Sequence, residues 1–202
     1  PAVYRGLAGG AFAEAIGSSG PLASGYVLGD VNGDGRADLV APSPSQGPTA
    51  LEVRLATPDA TFLAAQTLSL PRAPGDLLLE DVSSDGEPDL EVMPAGFSTI
   101  VRFMLLLGHG DGTFDVPQDL PTLGAKFLGF GDLDGDQHTD AVLNVVAGGA
   151  PASGLTALFG RGAGQFGPPV MLLSDTVQGF ELGDVLGVGR DSIVTRGSGE
   201  LL

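Results

Sequence analysis

The sequence contains no cysteine, which excludes disulfides and thiolate metal sites. Bases are scarce: nine Lys and Arg stand against 25 Asp and Glu, a formal net charge of -16. Phosphate binding needs basic surface, so neither nucleic acid nor an anionic membrane surface fits as a partner. Histidine is limited to His109 and His138. No apolar run approaches the roughly 18 residues of a membrane-spanning helix, so membrane insertion is not expected. No window carries a convincing helical period. A chain that starts at Pro1 without methionine is expected to be a mature or trimmed form.

What is present is glycine (33), proline (15) and many short apolar runs, at 43% apolar residues overall. That content suffices for a packed core and argues for β structure with frequent turns. A single domain over residues 1–202 is expected.

The chain repeats itself. Gly29 to Val40 reads GDVNGDGRADLV, and related stretches begin their Asp at Asp81, Asp132 and Asp184, at intervals of 51, 51 and 52 residues. A second marker ends at Phe12, Phe62, Phe114 and Phe166, at intervals of 50, 52 and 52. Two markers with one period make chance similarity untenable. The residues two and four before each first Asp are apolar: Leu28 and Tyr26, Leu79 and Leu77, Phe130 and Leu128, Leu182 and Phe180. Such alternation reads as a half-buried strand. A second run follows each Asp loop. A third alternates before each later Phe: Leu51, Val53 and Leu55, then Phe103, Leu105 and Leu107, then Leu155, Ala157 and Phe159. A turn and the segment led by Phe complete the unit. Four short antiparallel strands per period describe a propeller blade.

The Asp loops with their G-x-F markers resemble the FG-GAP repeat family, integrin α-like and also called VCBS, over essentially the whole chain. The resemblance implies a β-propeller whose Asp loops join the first and second strands of each blade and bind calcium. Integrin-type propellers have seven blades, whereas four repeats are present here. The expected form is an all-β, monomeric ring of four four-stranded antiparallel blades. Residues near 1–20 would pair with residues near 180–200 to close the last blade, which removes open sheet edges.

Calcium takes six to eight oxygens. Loop one offers Asp30, Asn32, Asp34 and Asp38 with the Arg36 carbonyl. Loop two offers Asp81, Ser83, Asp85 and Asp89 with the Glu87 carbonyl. Loop three offers Asp132, Asp134, Asp136 and Asp140 with the His138 carbonyl, and puts Gln137 where Gly35 and Gly86 turn the chain. Loop four keeps Asp184 but has Leu186 and Val188 at ligand positions, and is one residue shorter if Asp191 is its last acid. It reads as a lost site. Position twelve of an EF-hand is Glu, and Ala41, Val92 and Leu143 stand there, so that motif is excluded. About three Ca²⁺ sites are expected. The competing reading is that these acids only cap turns.

Catalytic signals are weak. No G-x-S-x-G elbow is present. GHGDG and GRGAG lack the lysine and helix of a phosphate loop and read as hairpin turns. His109 reads as an exposed turn residue, and the His138 ring as facing solvent. The expected role is a non-enzymatic binding or adhesion module, secreted or at the cell surface, with a protein or carbohydrate ligand. The alternatives are a polysaccharide-acting enzyme or its accessory domain, for which Asp111, Asp115 and Asp119 are the nearest acid cluster, or a structural module of a larger surface protein.

Overall fold

A computed structural model describes residues 2–3, 16–17, 25–96, 102–120, 125–145, 154–175 and 177–196. Every regular element among them is a strand. Sheet one holds β3 (Val27–Gly29), β4 (Asp38–Pro42), β5 (Ala50–Arg54) and β6 (Gln66–Ser69). Sheet two holds β7 (Pro74–Glu80), β8 (Asp89–Pro94), β9 (Met104–Leu106) and β10 (Gln118–Asp119). Sheet three holds β11 (Ala125–Gly131), β12 (Asp140–Val145), β13 (Gly154–Leu158) and β14 (Val170–Leu173). Each is antiparallel with its strands in chain order, as the repeat implies. The fourth unit contributes a pair, β15 (Gly179–Gly183) with β16 (Ser192–Arg196). A further pair joins β1 (Ala2–Val3) to β2 (Ile16–Gly17). Among the described residues β1 therefore pairs with β2 and not with β16; the rest of the expected terminal pairing, with Phe12, lies outside them.

The sheets pack face to face. Val40, Leu51 and Val53 of sheet one meet Leu90, Val92, Met104 and Leu106 of sheet two in one apolar cluster. The opposite face of sheet two, with Phe103 and Leu105, meets Ala141, Leu143 and Val145 of sheet three in another. The inner strands are consequently buried on both faces, where the sequence had suggested alternation in the third strands. Leu51, Glu52 and Val53 are all buried, as are Met104, Leu105 and Leu106. Strands covered on both sides read as continuous apolar runs. The last strand of each sheet is the exposed outer edge.

The first strands stack in series, β3 on β7 and β11 on β15. Here the alternation expectation needs one correction. Leu77 and Leu79 face sheet one, and a Cβ at Gly29 would lie 2.8 Å from Leu79. Phe180 and Leu182 likewise lie against Gly129 of sheet three. The residues two and four before the Asp thus face the preceding sheet. In sheet one the same positions, Tyr26 and Leu28, are each 54% exposed, and Val27 packs inward instead. The marker phenylalanines bridge back across their turns, Phe62 to Ala56, Phe114 to Gly108 and Phe166 to Gly160. Phe114 and Phe166 pack on the two clusters, as expected of core residues.

Two buried glutamates show what the packing tolerates. Glu52 is held by Ser43 Oγ at 2.7 Å and by the Arg54 guanidinium. Desolvation raises its carboxyl, but Arg54 and Ser43 outweigh it and leave the group below its ordinary value. Glu91 stands on β8, two residues after Asp89, where the other sheets have Val40 and Val142. It is 2% exposed, and neither carboxylate oxygen has a partner. Burial pushes its carboxyl well up, with smaller contributions from Asp89 and Glu80. An unpartnered buried polar group costs on the order of 1–3 kcal/mol. We expect Glu91→Val to stabilise the fold by about that amount at neutral pH. Because the folded-state pKa lies above the unfolded one, the protonated group favours the native state. That contribution is complete below the unfolded value and is lost as pH rises through the folded value. The gap between variant and parent in urea unfolding should therefore shrink as pH falls; a gap that is absent or widens on acidification rules this out.

Candidate metal loops

Each Asp loop joins a first strand to a second strand, and all four share one bond. The first Asp accepts the N–H five residues on: Gly35 to Asp30 at 2.7 Å, Gly86 to Asp81 at 2.8 Å, Gln137 to Asp132 at 3.0 Å and Gly189 to Asp184 at 2.8 Å. Desolvation raises the Asp30 carboxyl, but the Gly35, Asp34 and Asn32 N–H groups hold it below the ordinary range. The Gly189 and Val188 N–H groups do the same for Asp184. The fifth-position Asp accepts the N–H two residues on, in Asp34 with Arg36, Asp85 with Glu87 and Asp136 with His138. Part of the turn-capping reading is thus realised.

The ninth-position acids Asp38, Asp89 and Asp140 are wholly buried. One oxygen of each accepts an N–H from the loop entry: Val31 at 3.1 Å, Ser83 at 2.7 Å, Leu133 at 2.8 Å. The other accepts an N–H from the start of the Phe turn: Ala56 at 2.7 Å, Gly108 at 2.8 Å, Gly160 at 2.7 Å. Desolvation pushes the Asp89 and Asp140 carboxyls up despite these bonds. Each carboxylate ties two turns to the second strand of its sheet.

Three carboxylates converge in loop three. Ligand oxygens of Asp132, Asp134 and Asp136 lie within 4.8 Å of one another, so this cluster could hold a metal ion. The donors are all oxygen and all charged, which fits a hard divalent cation. Asp140 is not in that group. In loop one the Arg36 guanidinium pairs with Asp34, and Asn32 Nδ2 donates to the same carboxylate at 3.0 Å. In loop two Ser83 Oγ donates to Asp81 at 3.4 Å. Loop one is the most regular in sequence, yet its central acid already has a cation. Arg36, expected to lend only its carbonyl, thus also brings its guanidinium into the loop.

Two further positions depart from expectation. The His138 ring is partly buried rather than open to solvent: its Nδ1 is covered, without a partner among the described residues, beside the Gly160–Gly162 turn. Loop four is not shortened, because Ser192 pairs with Gly183 as Asp38 pairs with Gly29. Asp191 sits one place earlier and accepts the Asp132 N–H at 3.1 Å. The remaining ligand positions of that loop, Leu186 and Val188, are exposed. Outside the loops Asp119 pairs with Arg72, Asp115 with His109 at 3.2 Å, and Asp111 accepts the Thr113 N–H at 2.9 Å. His109 is half-exposed in its turn, as read from the sequence.

Gln137 adopts φ +70°, against +80° at Gly35 and +93° at Gly86. A left-handed residue with a Cβ costs roughly 1–2 kcal/mol. Gln137→Gly is expected to stabilise the chain by about 1 kcal/mol in chemical denaturation; an unchanged or lowered midpoint counts against the strain. Searched against protein-family models and curated proteins, the sequence has no match.

Proposed function

We propose that the protein is a calcium-loaded β-propeller of the FG-GAP type that serves as a binding module for protein or carbohydrate outside the cytosol. The observation that carries this reading is the convergence of Asp132, Asp134 and Asp136 in a loop whose framework recurs in loops one and two. Side-chain ligands would be Asp132, Asp134 and Asp136 in loop three, Asp81, Ser83 and Asp85 in loop two, and Asp30, Asn32 and Asp34 in loop one. The carbonyls of Arg36, Glu87 and His138 and the buried Asp38, Asp89 and Asp140 stand next to them in the chain. Bound calcium would neutralise acids that otherwise repel one another. Eleven of the 25 acidic residues lie in these loops. Oxygen-only donors favour Ca²⁺ over Zn²⁺, and Mg²⁺ would compete poorly because it demands tight octahedral geometry. Within each described four-stranded sheet the Asp loop and the Phe turn lie at the same end, since both connect strands across that edge. A rigid scaffold that presents its loops on one face is the usual form of a binding surface.

Calcium should raise the melting temperature by mass action, with Kd of roughly 10⁻⁴–10⁻³ M if the sites resemble extracellular modules. Asp136→Ala should remove one site from the calcium count, whereas Asp184→Ala should leave the count unchanged. A melting curve that ignores both calcium and chelator overturns the reading, as does zinc binding loop three more tightly than calcium at neutral pH. Ring closure has its own test. Deleting residues 1–18 should lower stability sharply and promote association; a truncated chain that remains a stable monomer argues for an open array.

A further inference from the structure

The first strands of three successive sheets, with β16, line a cleft of about 670 Å³ that includes none of the Asp-loop ligand positions themselves. That is the size of a small-molecule site. Its apolar lining includes Leu78 of β7, Phe130 of β11 and Phe180 of β15. Its charged lining is Glu80 of β7, Glu181 of β15 and Arg196 of β16. Among the described residues none of these three side chains has a hydrogen-bond or ion-pair partner, in contrast to Glu52, Asp115 and Asp119 elsewhere on the protein.

We propose that this cleft binds a small organic cation, an ammonium group carried on an apolar body. Acids outnumber bases two to one in the lining, and the chain as a whole carries -16, so the surrounding field favours a positive ligand. Phenylalanine rings attract a cation through their electron-rich faces. The apolar wall of Leu78, Phe130 and Phe180 offers surface to a carbon skeleton, which a bare metal ion could not use. Arg196 is the one group in the lining that opposes a cation, and this gives the proposal a signature of its own. The site is independent of calcium: it needs the packing of sheets two and three and the β15–β16 pair, not occupied Asp loops.

The test uses the full chain saturated with calcium, with benzylammonium as probe and benzyl alcohol as its neutral counterpart, followed by titration calorimetry and by NMR shifts of the phenylalanine rings. Benzylammonium should bind in the millimolar range or tighter, and the alcohol more weakly. Glu80→Gln and Glu181→Gln should each weaken the amine by about twofold to fivefold, the range of a partly exposed ion pair. Arg196→Gln should strengthen it by a similar factor. Equal binding of amine and alcohol overturns the proposal, as does weaker amine binding in the Arg196 variant. Glu181 is exposed, so its variant reports on the charge even where another substitution disturbs folding. A capped lysine that binds like benzylammonium would place the natural cation on a protein side chain; a capped lysine that does not bind would point to free amines. Either outcome upholds the class of ligand.

Discussion

The buried aspartate at the head of each second strand is the constraint on which the repeat depends. Asp38, Asp89 and Asp140 spend both oxygens on backbone N–H groups from two turns that are distant in sequence. A neutral side chain of similar size could not accept at both ends with equal strength, because hydrogen bonds to a charged acceptor are roughly twice as strong as neutral ones. The cost is desolvation, visible in the raised carboxyls of Asp89 and Asp140. The gain is that one side chain fixes the Asp loop and the Phe turn relative to each other. Whatever these loops bind, their relative position is set from beneath.

The same end of the molecule is also where the units are joined to one another. The Gly112 N–H donates to the Val31 carbonyl, and the Ala163 N–H to the Ser83 carbonyl, so the Phe turns of sheets two and three rest on the Asp loop of the unit before them. Thr139 adds a hydroxyl bond to the Asp81 carbonyl at 2.8 Å. In the fourth unit Asp191 reaches back to Asp132 through both its side chain and its N–H. Loop geometry therefore depends on neighbouring units as well as on local sequence. A cation in loop three would act on a segment held from both sides.

Much of this was legible because it is local. The period, the four-strand unit and the loop framework follow from residues within one repeat, and the bonds that build each loop span five residues or fewer except at the ninth position. What was not legible depends on which face meets which sheet. Leu28 and Leu79 occupy equivalent places, but only Leu79 has a preceding sheet among the described residues to pack against. Glu91 carries no local signal of burial, yet it is 2% exposed in the folded chain. The His138 ring is covered by a turn from 22–24 residues later in the chain. Register decided the last case: Asp191 is the nearest acid to the expected position, yet β16 begins one residue later at Ser192.

Loop four separates two roles that the other loops combine. It has lost the candidate ligands after Asp184, yet Asp184 still accepts the Val188 and Gly189 N–H groups in the same way as its counterparts. The first Asp therefore shapes the turn without an acid at the third or fifth position. It follows that the additional acids in loop three are not needed for the fold. Asp134 and Asp136 bring negative charges next to Asp132, and like charges at such range destabilise one another. Loop four shows that the same turn forms with Leu186 and Val188 in the corresponding places. Charges gathered where the same turn forms without them make loop three the cluster that could hold a metal ion.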